Sequence, residues 1–216
     1  MTSGQDSRAA VDTAVEAHAR GPRSGRVSLI IAVLVASLTV ASAIVFTGAK
    51  RRPAGDVWLG LAAGRLILER GYTDFPVADE FTWTFAGKTW YNQNWLSHVI
   101  LYWTYDRLFP AAIVGLSLIC LLIIAVSLIL TTRVLCGETM LGALLVALGL
   151  VAGHILWQIR PDTATRICAC LMLLVLVLTT YRHALWGLAV LPLLLFWSNA
   201  HGGFLLGYAM VGAWLA

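Results

Sequence analysis

The sequence predicts an all-α polytopic membrane protein, a transmembrane helix bundle with amphipathic helices in its first external loop. Hydrophobic residues make up 59% of the chain, above the ~45–50% usual in soluble domains. Mean hydropathy is +0.81, and several uninterrupted apolar runs reach the ~20 residues that cross a bilayer. Backbone polar groups in lipid must be satisfied within each segment. The runs are far too long for barrel strands, so the spans are expected to be helices.

Residues 1–26, rich in Ser, Ala, Gly and charge, read as a disordered cytoplasmic tail. Arg8, Arg20, Arg23 and Arg26 precede the first span, 27–49, and hold the N-terminus in the cytoplasm. Ala41-Ser42-Ala43 resembles a signal-peptide cleavage site, but the apolar run continues through Ile44-Val45-Phe46, so an uncleaved anchor is expected. Lys50-Arg51-Arg52-Pro53 ends that helix, because proline and its predecessor resist the helical conformation.

The external loop then covers 50–110. Gly55 to Arg70 predicts a short amphipathic helix with Leu59, Ala62, Leu66 and Leu68 on one side and an Arg65/Glu69 i,i+4 pair. Asp56, Gly60 and Gly64 form a stripe with almost no side chain beyond the carboxylate, so another backbone or a ligand could approach closely. Gly71 to Tyr91 reads as loop, with Pro76 and Gly87 as turn residues. Asn92 to Phe109 is helical in period but carries Asn94, Ser97, His98, Asp106 and Arg107, which predicts a helix lying at the interface. Trp90, Trp95, Trp103, Tyr102 and Tyr105 suit the headgroup level.

Further spans are expected at 111–135, 139–157, 163–181 and 184–197, and another at 203–216 that is still apolar at Ala216. The chain therefore reads as the N-terminal portion of a longer protein or as a truncated piece. If 92–109 lies on the surface, Arg133 and Arg182-His183 are cytoplasmic, as the positive-inside rule prefers. Arg160-Pro161-Asp162 and Asn199-Ala200-His201 then share the outer face with Asp56; if 92–109 spans, they do not. The surface reading gathers the unusual polar groups on one side and is preferred.

A net charge of +4 comes from basic residues scattered among segment ends, which predicts no nucleic-acid partner. Cys120, Cys168 and Cys170 fall in apolar runs and Cys136 at a helix end. Cys168-x-Cys170 lacks redox or zinc spacing, so buried free thiols are expected. No P-loop, G-x-S-x-G, HExxH or dinucleotide fingerprint is present.

Six of the eleven acidic side chains lie between Asp56 and Asp106, an unusual cluster at a membrane surface unless it meets something there. Asp56 is the leading catalytic candidate. A carboxylate just past the first span can act as general base or orient an acceptor, or could ligate a divalent cation bridging a phosphate leaving group. The plainer alternative is a helix N-cap. Asp79-Glu80 are weaker substrate-binding candidates, since paired loop acids are usually just solvated. Arg160 could grip a phosphate bidentately; the alternative is an Arg160–Asp162 or Asp162–Arg166 pair capping a helix. Asn199 and His201, before Gly202-Gly203, either line a site or simply form a tight turn. His154, within an apolar helix, reads as a packing residue. Metal ligands are left unassigned.

These residues resemble the bacterial polytopic glycosyltransferases of the GT-C superfamily, which includes protein O-mannosyltransferases and aminoarabinose transferases. The matching stretches are Asp56-Val57-Trp58 through Gly64-Arg65, Asp79-Glu80-Phe81-Thr82-Trp83 with Gly87 and Trp90, and Trp95-Leu96-Ser97. Arg160-Pro161 and Asn199-Ala200-His201-Gly202-Gly203 complete the pattern, which covers 27–216. The resemblance implies a GT-C-like bundle in the bacterial inner membrane. It implies inverting transfer from a polyprenyl-phosphate-linked sugar donor to an envelope acceptor on the non-cytoplasmic face. Asp56 would be the catalytic carboxylate, and Asp79-Glu80 would line the same cavity. Where many relatives carry His this chain has Gly60, and it lacks an acid near Asn94, so a cation stays open. Two other classes compete: a non-catalytic subunit scaffolding envelope-assembly proteins, and a lipid-linked saccharide transporter. The absence of an internal repeat weighs against the transporter.

Overall fold

The computed structural model describes residues 55–71, 77–109, 112–152 and 159–216. The expected tail, the first span at 27–49 and His154 lie outside the described residues. What is described is mostly helical, as expected.

Helix α1, Gly55–Arg70, has the predicted bounds. It stops at Gly71, whose φ of +80° suits a residue without Cβ and whose N–H returns to the Ile67 carbonyl. Two-residue strands β1 (Val77–Ala78) and β2 (Thr89–Trp90) pair antiparallel, Val77 opposite Trp90 and Ala78 opposite Thr89. They frame a turn within the stretch expected to be loop. Gly87 enters that turn at φ +77°, and Asp79 holds its start by accepting the N–H groups of Phe81 and Thr82 and the Thr82 hydroxyl.

Helix α2, Trp95–Arg107, lies inside the predicted 92–109 segment. Its 13 residues measure about 20 Å, short of the ~30 Å hydrocarbon core. It packs along α1 rather than standing alone: Val57, Leu61 and Leu101 form the joint core, joined by Tyr102 and Tyr105. The glycine stripe admits it. A Cβ at Gly64 would lie 2.7 Å from the His98 carbonyl carbon, and one at Gly60 would lie 3.2 Å from the His98 ring. Of the two occupants the stripe allowed, a neighbouring backbone is the one found there.

Helices α3 (Ala112–Cys136) and α5 (Thr163–Tyr181) are long and apolar enough to cross a membrane. Helix α3 closes at Gly137, φ +75°, and α4 (Thr139–Ala152) turns back along it. Leu121, Ala125 and Ile129 meet Ala143 and Val146 between them. The far sides are apolar too, with Ile119, Leu144, Leu145 and Leu148 exposed. Ser117, Ser127, Thr131 and Thr179 donate their hydroxyls to the carbonyl four residues back, so these polar groups need no solvent.

The runs expected as spans at 184–197 and 203–216 take shorter form. Residues Ala184–Ala189 wind as a 3-10 helix before α6, Val190–Ala200. His201 breaks the path in an extended conformation, Gly202–Phe204 form another 3-10 turn, and α7 covers Leu205–Leu215. Pro192 is tolerated because it sits in the first turn of α6, where its missing N–H is no loss. Trp197, fully buried, joins α6 to Cys168, Met172 and Leu176 of α5, and Gly207 of α7 faces its ring. The four cysteines are free, with Cys120 and Cys168 buried and Cys136 exposed.

Candidate functional site

Asp56 is the second residue of α1, in the first turn where the helix dipole favours an anion. Its partner comes from 104 residues away: Arg160 directs both Nε, at 2.9 Å, and Nη2 to the same oxygen, Oδ2. The carboxylate is half exposed and the guanidinium slightly less so, at the edge of a cavity of about 440 Å3. Asp56 beside it holds the Arg160 guanidinium still more firmly protonated. Asp162 turns to Arg166, four residues on, at 2.5 Å. That is one of the two pairs the sequence allowed, whereas Arg160 belongs to Asp56.

The cavity joins four parts of the chain. Asp56 and Leu59 come from α1, Trp90 to Asn94 from the approach to α2, His98 from α2 itself, and Arg160-Pro161-Asp162 and His201 from the two ends of the α5–α6 unit. Side-chain bonds hold these parts together. Ser97 donates to the Ala200 carbonyl at 2.7 Å, and Trp95 Nε1 donates to Asn199 Oδ1 at 3.2 Å. The N-terminus of α2 is thereby tied to the end of α6.

Both cavity histidines have a fixed tautomer. Asn92 accepts the Asn94 N–H on Oδ1, so its amide nitrogen is the atom 2.9 Å from His98 Nδ1. Nδ1 must then accept, and the ring proton sits on Nε2. Burial, at 3% exposure, lowers the His98 pKa to about 4. At His201, Nδ1 accepts from the Gly203 N–H at 3.0 Å and faces the Thr165 hydroxyl at 2.8 Å. Trp197 Nε1 already donates to that hydroxyl oxygen, which leaves its hydrogen for His201. Burial lowers the His201 pKa, against an opposing pull from Asp162.

Of the sequence candidates, Asp56, Arg160 and His201 line the cavity. Asn199 stands beside it, its amide spent on Trp95 and the Leu195 carbonyl. Asp79 and Glu80 are placed elsewhere: Asp79 is buried in its own turn, its carboxyl pulled below the usual range first by the Thr82 hydroxyl. Glu80 pairs with Arg70 at 2.7 Å. Sequence reasoning passed over Asn92, Gln93 and His98. Their signal was a polar run, Asn92-Gln93-Asn94, followed by a histidine one turn on, next to a helix with a bare glycine stripe. Among the described residues no group of three or more His, Cys, Asp or Glu is gathered as metal ligands, so no cation is assigned.

No protein-family model, curated protein or solved structure matches this chain.

Proposed function

We propose that the chain carries the reaction centre of a membrane glycosyltransferase of GT-C type. It moves a sugar from a polyprenyl-phosphate-linked donor to an envelope acceptor on the non-cytoplasmic face of a bacterial inner membrane. In this reading the N-terminus is cytoplasmic and the chain crosses the membrane several times. The two helices long and apolar enough to span support the membrane part. The observation that carries the chemistry is the Asp56–Arg160 pair at the edge of a polar cavity.

The acceptor hydroxyl attacks the anomeric carbon as the bond from that carbon to the phosphate oxygen breaks. Asp56 takes the hydroxyl proton, and the leaving phosphate gains negative charge that Arg160 receives with its planar fork. In the resting state each group satisfies the other. Donor binding must therefore draw Arg160 from Oδ2 to the phosphate, which frees the carboxylate to act as base. Stabilising charge on a leaving group in this way is worth ~10²–10³ in rate for one donor.

Asp56→Asn keeps size and removes charge. It should leave expression and stability in detergent nearly intact while abolishing transfer from a lipid-linked sugar. Arg160→Lys keeps charge and loses the fork, so a smaller loss is expected. Full activity in Asp56→Asn would reduce Asp56 to a structural partner. A second reading, a non-catalytic subunit scaffolding envelope assembly, predicts no transfer by the parent chain and has one observation in its favour: a carboxylate already neutralised by arginine can serve as a strut between α1 and the start of α5.

A further inference from the structure

Arg160 is the cavity's cation, yet the deepest polar side chain facing it is uncharged. His98 is 3% exposed, lines the cavity, and is clamped on two sides. Its ring edge rests on Gly60, where even a methyl would stand 3.2 Å from Cδ2. Its Nδ1 is held by the Asn92 amide, which is itself oriented by the Asn94 N–H. We infer that His98 is a sugar-binding residue that donates from Nε2–H to an uncharged oxygen of the bound sugar, with Asn92 as the positioning residue that sets its tautomer. This rests on the glycosyltransferase reading and names a contact within that site.

The neutrality of His98 favours a sugar oxygen over the phosphate as its partner. Among the described residues, Asp56, Asp162 and Arg160 line the cavity with fixed charge, and each is paired, Asp56 with Arg160 and Asp162 with Arg166. With Tyr91 and His201 they are the titratable groups that share the cavity with His98: Asp56 from α1, Tyr91 ahead of α2, Arg160 and Asp162 ahead of α5, and His201 behind α6. A phosphate at His98 would meet only a neutral imidazole, whereas Arg160 offers it a charged fork. A hydroxyl or ring oxygen needs only the fixed N–H. Trp90 and Tyr91 also line the cavity and are the ring types that stack on the apolar side of a pyranose, and Asn94 and Gln93 add neutral donors and acceptors to the lining. The one buried polar side-chain atom without a partner among the described residues is Asp162 Oδ1, so the Nε2–H of His98 opens onto the cavity, where a ligand oxygen can accept it.

The experiment uses the full chain in nanodiscs with two probes, a short-chain prenyl-phosphate hexose and the same prenyl phosphate without sugar. His98→Leu should weaken binding of the sugar-bearing probe about three- to tenfold and leave the sugar-free probe within about twofold, the loss of one net hydrogen bond. His98→Gln, whose amide nitrogen reaches the Nε2 position, should restore part of it. Asn92→Asp supplies an acceptor to Nδ1 and moves the ring proton there, so it should weaken the sugar-bearing probe. Histidine nitrogen NMR on the parent should show a neutral ring protonated at Nε2 between pH 5 and 8. Equal loss of both probes in His98→Leu would assign His98 to the phosphate and overturn the inference. So would unchanged binding in His98→Leu, or a ring protonated at Nδ1; each leaves the Asp56 chemistry standing. A parent chain that binds neither probe would overturn the glycosyltransferase reading and this inference together.

Discussion

Gly64→Ala adds a single methyl where the two helices that shape the cavity come closest. Its Cβ would lie 2.7 Å from the His98 carbonyl carbon and 2.7 Å from Tyr102 Cβ, against ordinary carbon contacts of about 3.5–4.0 Å. The obstruction includes backbone, so no rotamer change relieves it and α2 must move by about 1 Å. Overpacking of this kind is worth about 1–3 kcal/mol, and a rigid obstacle puts Gly64 at the upper end. Replacing glycine by alanine within a helix returns about 1 kcal/mol, which leaves a net loss near 2 kcal/mol. Gly115, in α3, supplies the control: nothing stands within 4 Å of a Cβ there, so Gly115→Ala should keep the gain of about 1 kcal/mol. Thermal unfolding of the three proteins in one detergent measures the gap of about 3 kcal/mol between the variants. Gly64→Ala should also reduce binding at the cavity, since His98 sits at the contact. If Gly64→Ala were as stable as Gly115→Ala, the close approach of α1 and α2 would be wrong, and with it the geometry of the cavity.

Acid should weaken the fold through His98. Its folded pKa of about 4 lies below the ordinary ~6.5 of the unfolded chain, so the unfolded state binds the extra proton. Stability is complete above pH 6.5 and falls as the pH drops toward 4, by about 3 kcal/mol across the window. Chemical unfolding at a series of pH values should show that slope and His98→Gln should flatten it; an unchanged slope in the variant would contradict the assignment. Thr165→Val keeps shape but strips Trp197 Nε1 and His201 Nδ1 of a shared hydroxyl, and should cost about 1–3 kcal/mol. A thermal midpoint equal to the parent's would show that the hydroxyl carries nothing.

Much of the fold could be read from local patterns. The bounds of α1 follow from Pro53 and Gly71, and those of α5 from the Arg160-Pro161-Asp162 break and the polar Arg182-His183. The 184–197 and 203–216 runs were harder, because apolar content favours an apolar surrounding and leaves open how tightly the segment winds. Ala184–Ala189 takes the 3-10 form and α7 has only 11 residues. At the site, Asp56, Arg160 and His201 were legible as polar residues stranded beside apolar runs. That Asp56 and Arg160 are partners was not, since helix packing and not local spacing brings together residues 104 positions apart. His98 was hidden because a histidine on a mixed helix face looks the same whether it meets a packed wall or a cavity. Asp79 looked like a site acid, and its turn-holding role depends on backbone N–H groups that no residue type announces.

The central claim is that Asp56 and Arg160 do chemistry as well as hold each other. A strut tolerates reversal of its charges, while a base and a phosphate ligand do not. The measurement is the rate of sugar transfer from a prenyl-phosphate-linked donor by the double variant Asp56→Arg, Arg160→Asp in the membrane-reconstituted protein, at a thermal midpoint matched to the parent. The proposed function predicts that the reversed pair restores the stability each single variant loses, while transfer stays at least about 100-fold below the parent. Transfer near the parental rate in the double variant, with both singles inactive, would contradict it and make the pair a structural link.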